Sequence, residues 1–154
     1  MSLFEIEGTV TAIGQSQFDN DMSIYAFIEV TDRNGLRTLI EKVGVFNDIG
    51  AVLAPGLSGH FYVDRIYRGS GALRCQLWGV RTDRLVVMDS KDLRNRIAMA
   101  KLLGGIPAIF VFGLGLIIIA EAIYLLATAG DRRQFFLSGD GPPTLTPAPE
   151  ALRI

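Results

Sequence analysis

The chain is short of the residues that most often carry chemistry. Among its 154 residues there are one cysteine and one histidine. A lone Cys75 cannot close an intramolecular disulfide, which fits a reducing compartment. It stands in an apolar/polar alternation, Leu73, Cys75, Leu77, and reads as a small core residue rather than a reactive thiol. His60, in "GLSGHFYVD", has no second imidazole or thiol cluster with which to build a metal site. Ser58, His60 and Asp64 share one face of a strand without converging as a catalytic triad requires. His60 therefore reads as a satisfied strand residue. No Gly-Lys-Ser/Thr phosphate loop is present, so "GSG" and "GGIP" read as turns or linkers. No catalytic residue, metal ligand or cofactor is expected, and the chain does not read as an enzyme.

An excess of one charge is lacking as well. Fifteen Lys and Arg stand against sixteen Asp and Glu, a net charge of −1 that selects no partner. The start, "MSLFEIEGTV", has neither the basic flank nor the apolar stretch of a cleavable signal peptide.

The charges are partitioned, however. Residues 102–129 contain one Asp, Glu, Lys or Arg, which is Glu121. That run of 28 residues exceeds the roughly 20 that cross a bilayer core as a helix. Pro107, after Gly104-Gly105, sits where a first helical turn tolerates proline, and "AGDRR" ends the run. The run holds 15 Leu, Ile, Val and Phe residues. Together they favour insertion by about 7 kcal/mol, against about 3 kcal/mol for one acidic residue at the helix centre. The composition thus predicts a transmembrane helix over residues 103–129. Glu121 either bends toward the headgroups, sits protonated, or meets a neighbouring helix together with Tyr124 and Thr128. Ala108, Gly115, Ala122 and Ala129 recur every seven residues as a small-residue stripe suited to helix packing, more than 100° around the helix from Glu121.

Five basic residues flank the run on its N-terminal side (Arg84, Lys91, Arg94, Arg96, Lys101) and two follow it (Arg132, Arg133). This predicts a single-pass membrane protein of the bacterial inner-membrane kind. Its N-terminal domain is expected in the cytoplasm and the C-terminal segment outside. Residues 89–102 read as a juxtamembrane amphipathic helix capped by Asp89 or Ser90, its bases at lipid phosphates. Residues 130–154, with four prolines, read as a disordered tail whose Phe135 and Phe136 rest at the interface.

Residues 1–88 follow period two. Phe4, Ile6, Gly8, Val10 and Ala12 alternate with polar residues, and "SIYAFIEVT" places Ile24, Ala26, Ile28 and Val30 on one face. "DRNG" closes a hairpin, "LRTLIEKVGV" returns with a bend at Gly44, and "NDIGAVLAPG" makes a short helix capped by Asn47. "GHFYVDRIY" and "ALRCQLWGV" are two further strands, and "LVVM" a last short run. Three meandering strands, a short helix and a hairpin form an order that resembles the OB-fold superfamily over about residues 3–80. The fold class expected is mainly β: a small five-stranded OB-like barrel, then the juxtamembrane and transmembrane helices. A different small barrel or an SH3-like sheet is the alternative.

The resemblance implies a ligand surface on the second and third strands and nearby loops. It falls on Tyr25, Phe27, Arg37 and Leu39, with Phe18 and Arg68 in the loops. Aromatics beside arginines suit single-stranded nucleic acid or a glycan. Residues 1–89 carry 11 acids and 8 bases, though, so a protein contact surface is favoured. The expected function is a membrane-anchored module docking a protein at a membrane complex. The alternatives are a tethered OB-type binder and self-association through the Ala108/Gly115/Ala122 stripe.

Overall fold

The structure is a computed structural model that describes residues 3–19, 21–67, 73–109, 114–138 and 152–153. The chain forms two compact units. One takes in Leu3–Lys91 and resumes at Asp131; the other is Asp92–Gly130.

In the first unit, β1 (Leu3–Ile13), β2 (Ser16–Asp19), β3 (Met22–Thr31) and β4 (Arg37–Phe46) meander into a single helical turn, α1 (Asn47–Gly50). β5 (Ser58–Arg65), β6 (Cys75–Arg81) and β7 (Val86–Met88) follow. β1 pairs antiparallel with β3 and with β5, and β5 with β6. β4 pairs antiparallel with β3 and parallel with β6. The ring β1–β3–β4–β6–β5 is thus a closed five-stranded mixed barrel, consistent with an OB-like fold. Closure leaves none of the five strands with an unpaired edge. β2 forms a hairpin with β3, β7 lies along β6, and the two-residue β8 (Leu152–Arg153) lies beside β4.

Val10, Ile28, Val30, Ile40, Phe61 and Leu77 fill the barrel, with Ile49 of α1 closing over them. The regular alternation expected of β3 does not hold along its length. Ile28 faces Ile40 across the ladder and both are buried; further along, Tyr25 faces Val43 and Ser23 faces Val45. The inward positions are even-numbered at one end and odd-numbered at the other, so both strands switch faces together. At the switch Ala26 is exposed and Lys42 takes a φ of 54°, a left-handed conformation that costs a non-glycine residue energy. The bend expected at Gly44 is therefore two residues earlier. Gly44 itself stays in the ladder between Ile24 and Gln76.

Other local expectations are corrected in the same way. Asn47 is the first residue of α1 rather than its cap; Phe46 holds the cap position and contributes no side-chain hydrogen bond. The hairpin expected at "DRNG" does join β3 and β4, with Gly35 at φ 82°; Asp32 organises it, its Oδ1 accepting from the amides of Asn34 and Leu36. "GSG" and Arg68 lie outside the described residues.

The second unit departs from the expected single span. Its run is divided between α2 (Leu93–Ala108) and α3 (Leu114–Ala127), which pack against each other through Gly105 and Gly115. Among the described residues no helix is long and apolar enough to cross a membrane. Gly104, Gly105, Pro107, Gly113 and Gly115 crowd the middle of the run, and these are the poorest helix formers. Pro107 falls in the last turn of α2, not the first turn of a span, and "GGIP" is helical rather than a linker. α2 passes through the boundary expected at residue 102, and its cap is Asp92, whose carboxylate accepts from the Asn95 amide, instead of Asp89 or Ser90.

The disordered tail is also corrected in part. Arg132–Ser138 form a helix, α4, that belongs to the barrel unit. Residues 139–151 and 154 of the expected tail lie outside the described residues.

Candidate functional site

Each unit offers one candidate surface. In the helical unit, the seam between α2 and α3 is made of small side chains. Ala98 and Gly105 come from α2, and Gly115 and Ala122 from α3; all four are buried. A Cβ on Gly115 would collide with the Gly105 carbonyl oxygen and the Ile109 amide nitrogen, so the helices touch backbone to backbone there. The expected stripe is thus split: Gly115 and Ala122 are spent inside this chain, Ala108 is half-buried, and Ala129 is exposed beyond the end of α3.

Glu121 finds its partner within the same unit. Lys101 Nζ lies 2.6 Å from Glu121 Oε1. Further from the turn, Arg94 is buried; its guanidinium donates to Thr128 Oγ1 at 2.7 Å and to the Leu125 carbonyl at 3.3 Å. Thr128 in turn donates to the Tyr124 carbonyl. Glu121 therefore meets the neighbouring α2, while Thr128 bonds with Arg94 and the Tyr124 carbonyl. Sequence reasoning missed Lys101 because the pair is meaningful only once the run folds back. The available signal was positional: Lys101 and Glu121 bracket an apolar stretch with Gly and Pro at its centre.

The exterior of the same unit is apolar. Leu103, Ile106, Leu116, Ile117 and Ile123 are each more than half exposed, and Tyr124 is 56% exposed.

On the barrel, the residues expected to form a ligand face are dispersed. Tyr25 turns inward and packs against the core. Phe27 is half-buried against Gly14, Leu39 half-buried, and Arg37 exposed. Phe18, on β2, is 79% exposed. Acids share these strands: Glu29 accepts from Thr11 Oγ1 at 2.6 Å, and Glu41 holds Arg74 at 2.7 Å.

A polar cleft of about 450 Å³ lies where β1 and β5 pair through Gly8 and Gly59. Both glycines are required by close approach, because a Cβ on either would strike a neighbouring strand's carbonyl, Thr31 O or Arg81 O. Arg33 and Glu7 pair across its mouth at 2.8 Å, and Thr9 and Ser58 share a hydrogen bond of 2.7 Å. His60 lines it too, and its Nδ1 lies 2.6 Å from Glu5 Oε1, which also accepts from Tyr62 OH at 3.3 Å. Burial, then the Glu5 carboxylate, pushes the Tyr62 phenol above its ordinary pKa. His60 is thus a paired strand residue. Among the described residues no three His, Cys, Asp or Glu side chains are grouped to hold a metal ion.

The outer face of β5 and β6 is covered by α4. Phe136 is buried with Tyr62 and Trp78, at ring-centroid distances of 4.7 and 5.9 Å, and Phe135 packs beside them. The Arg81 guanidinium lies over the Phe136 ring and donates to the Phe136 carbonyl. Arg132 meets the buried Asp64 carboxylate at 2.7 Å. The expectation that Phe135 and Phe136 rest at a lipid interface is corrected by these contacts. No family model, no curated protein and no solved structure matches the chain.

Proposed function

We propose that the chain is a membrane-anchored interaction module. Its apolar helices hold it in lipid, and its barrel presents a surface to a protein partner on the cytoplasmic side, as at a bacterial inner membrane. One observation carries this reading: α2 and α3 expose a set of large apolar side chains, Leu103, Ile106, Leu116, Ile117 and Ile123. A patch of that kind marks a membrane or protein contact. The bases on the N-terminal flank support the cytoplasmic side for the barrel. The single crossing suggested by the length of the run is replaced in this proposal by anchoring through the paired helices.

The barrel residues offered to a partner are the exposed Phe18 and Arg37, with Phe27 and Leu39 partly accessible. A single-stranded nucleic acid or glycan is the weaker occupant, because Glu29 and Glu41 sit among these residues where a polyanion needs positive charge. A photocrosslinker at Phe18 in intact cells, followed by a high-pH wash of the membranes, tests the proposal. The product stays with the membranes and carries one specific partner protein. Release into the supernatant overturns the anchoring, and recovery of the chain alone overturns the partner.

A further inference from the structure

Resting on the membrane reading above, we infer that α2 and α3 form a hairpin that enters a single leaflet and leaves by the face it entered, so that both flanks lie on one side of the membrane. Three observations support this. The first is length. Between Lys101 and Glu121 lie nineteen residues with no ionisable or hydrogen-bonding side chain. The 2.6 Å ion pair puts those two residues at one level. From that level α2 continues to Ala108 and α3 begins at Leu114, seven residues on each leg. At 1.5 Å per residue each leg is about 10 Å long. That length fits within half of a hydrocarbon core of about 30 Å and falls far short of the whole.

The second observation is the grading of polarity along the legs. Near the turn the outward residues are Leu103, Ile106, Leu116 and Ile117. The compensated pair Lys101–Glu121 comes next, then exposed Tyr124 one turn further along α3. Beyond these, Arg94 meets Thr128 and Arg96 is exposed. Exposed Met99 and Ile123 flank the pair. An apolar tip, a neutralised pair with a tyrosine and apolar side chains around it, then bases is the order met on going from a leaflet's interior to the headgroups. Lipid offers nothing to free backbone groups, so helix ends are where insertion costs most. The Ile109 amide still donates to the Gly105 carbonyl, which extends the satisfied backbone of α2 past its last helical residue.

The third observation is the return of the chain. Leu3–Lys91 and the chain from Asp131 belong to one compact unit. It is closed by Arg132 on Asp64 and by Phe136 against Tyr62 and Trp78. A folded unit cannot straddle a bilayer. A crossing would strip α4 from the barrel, expose that aromatic cluster and take Arg132 from a buried carboxylate. With both flanks on one side, the seven bases that border the run all face the same compartment, as orientation by basic residues favours.

The test uses the full chain carrying Cys75→Ala and one new cysteine on each flank, Ser90→Cys and Arg133→Cys, both at exposed positions. It is reconstituted into sealed vesicles of phosphatidylethanolamine and phosphatidylglycerol. A membrane-impermeant maleimide added outside labels both cysteines to the same extent, with both protected in inverted vesicles. Labelling of one and protection of the other overturns the one-leaflet hairpin while leaving membrane attachment intact. Failure to float with the vesicles overturns the membrane reading itself. Arg84→Cys with Gln134→Cys repeats the test at a second exposed pair if either first variant misfolds. A nitroxide at Leu116 distinguishes lipid from a second copy: quenching by dissolved oxygen and not by an aqueous relaxant supports the leaflet, and shielding from both overturns it.

Discussion

Asp89 shows how a single buried group sets a pH response. Its Oδ1 accepts from the Lys91 amide at 2.8 Å, and its Oδ2 has no hydrogen-bond partner among the described residues. Burial, the largest influence, raises its pKa above the ordinary carboxylate value, against the smaller pull of the Lys91 amide. A raised folded-state pKa means the native state disfavours the ionised form. Stability is therefore lost as pH rises from the unfolded-state pKa through the folded one. Asp89→Asn removes that loss. Thermal unfolding should give a higher Tm than the parent at pH 7, and the gain should vanish below the carboxylate range; an equal gain at both pH values would refute it. Cys75 gives a simpler result. It is buried and its pKa is pushed up to about 11 by burial, so a thiol reagent at pH 8 should label it only after denaturation. Gly59→Ala would force a Cβ onto the Arg81 carbonyl, and a denaturant titration should register a loss of about 2 kcal/mol or more. Burial of Cys75 was legible from its alternation with Leu73 and Leu77. The pairing of Glu121 with Lys101 was not, because no local period joins residues twenty apart.

At the scale of elements, the strands announced themselves by period two and the β3–β4 turn by "DRNG". What period two could not reveal was the joint change of face in β3 and β4 at Ala26 and Lys42. That change turns Tyr25 onto the core and breaks up the expected ligand face. α4 was hidden for a different reason. Seven residues are too few to be helical on their own, and the prolines after it make the segment look like a linker. Docking makes it a helix: Phe136 fills a site against Tyr62 and Trp78, and Arg132 meets Asp64. Phe136→Ala should cost the barrel about 3 kcal/mol in denaturant unfolding, the usual range for a buried phenylalanine. It should also speed limited proteolysis within residues 131–138. Unchanged stability together with unchanged proteolysis would show that α4 does not depend on this anchor.

At the scale of the molecule, the apolar composition and length of residues 102–129 suggested one crossing. Gly105 against Gly115 and Lys101 against Glu121 instead make the run two short helices side by side. The most direct measurement is the distance between spin labels at the exposed positions Asn95 and Ala127, read by pulsed electron resonance on the full chain in lipid vesicles. Folded back, with helix axes about 10 Å apart, the labels lie within about 25 Å of each other. A continuous helix over those 32 residues would hold them about 48 Å apart, and a distribution centred there would contradict the account.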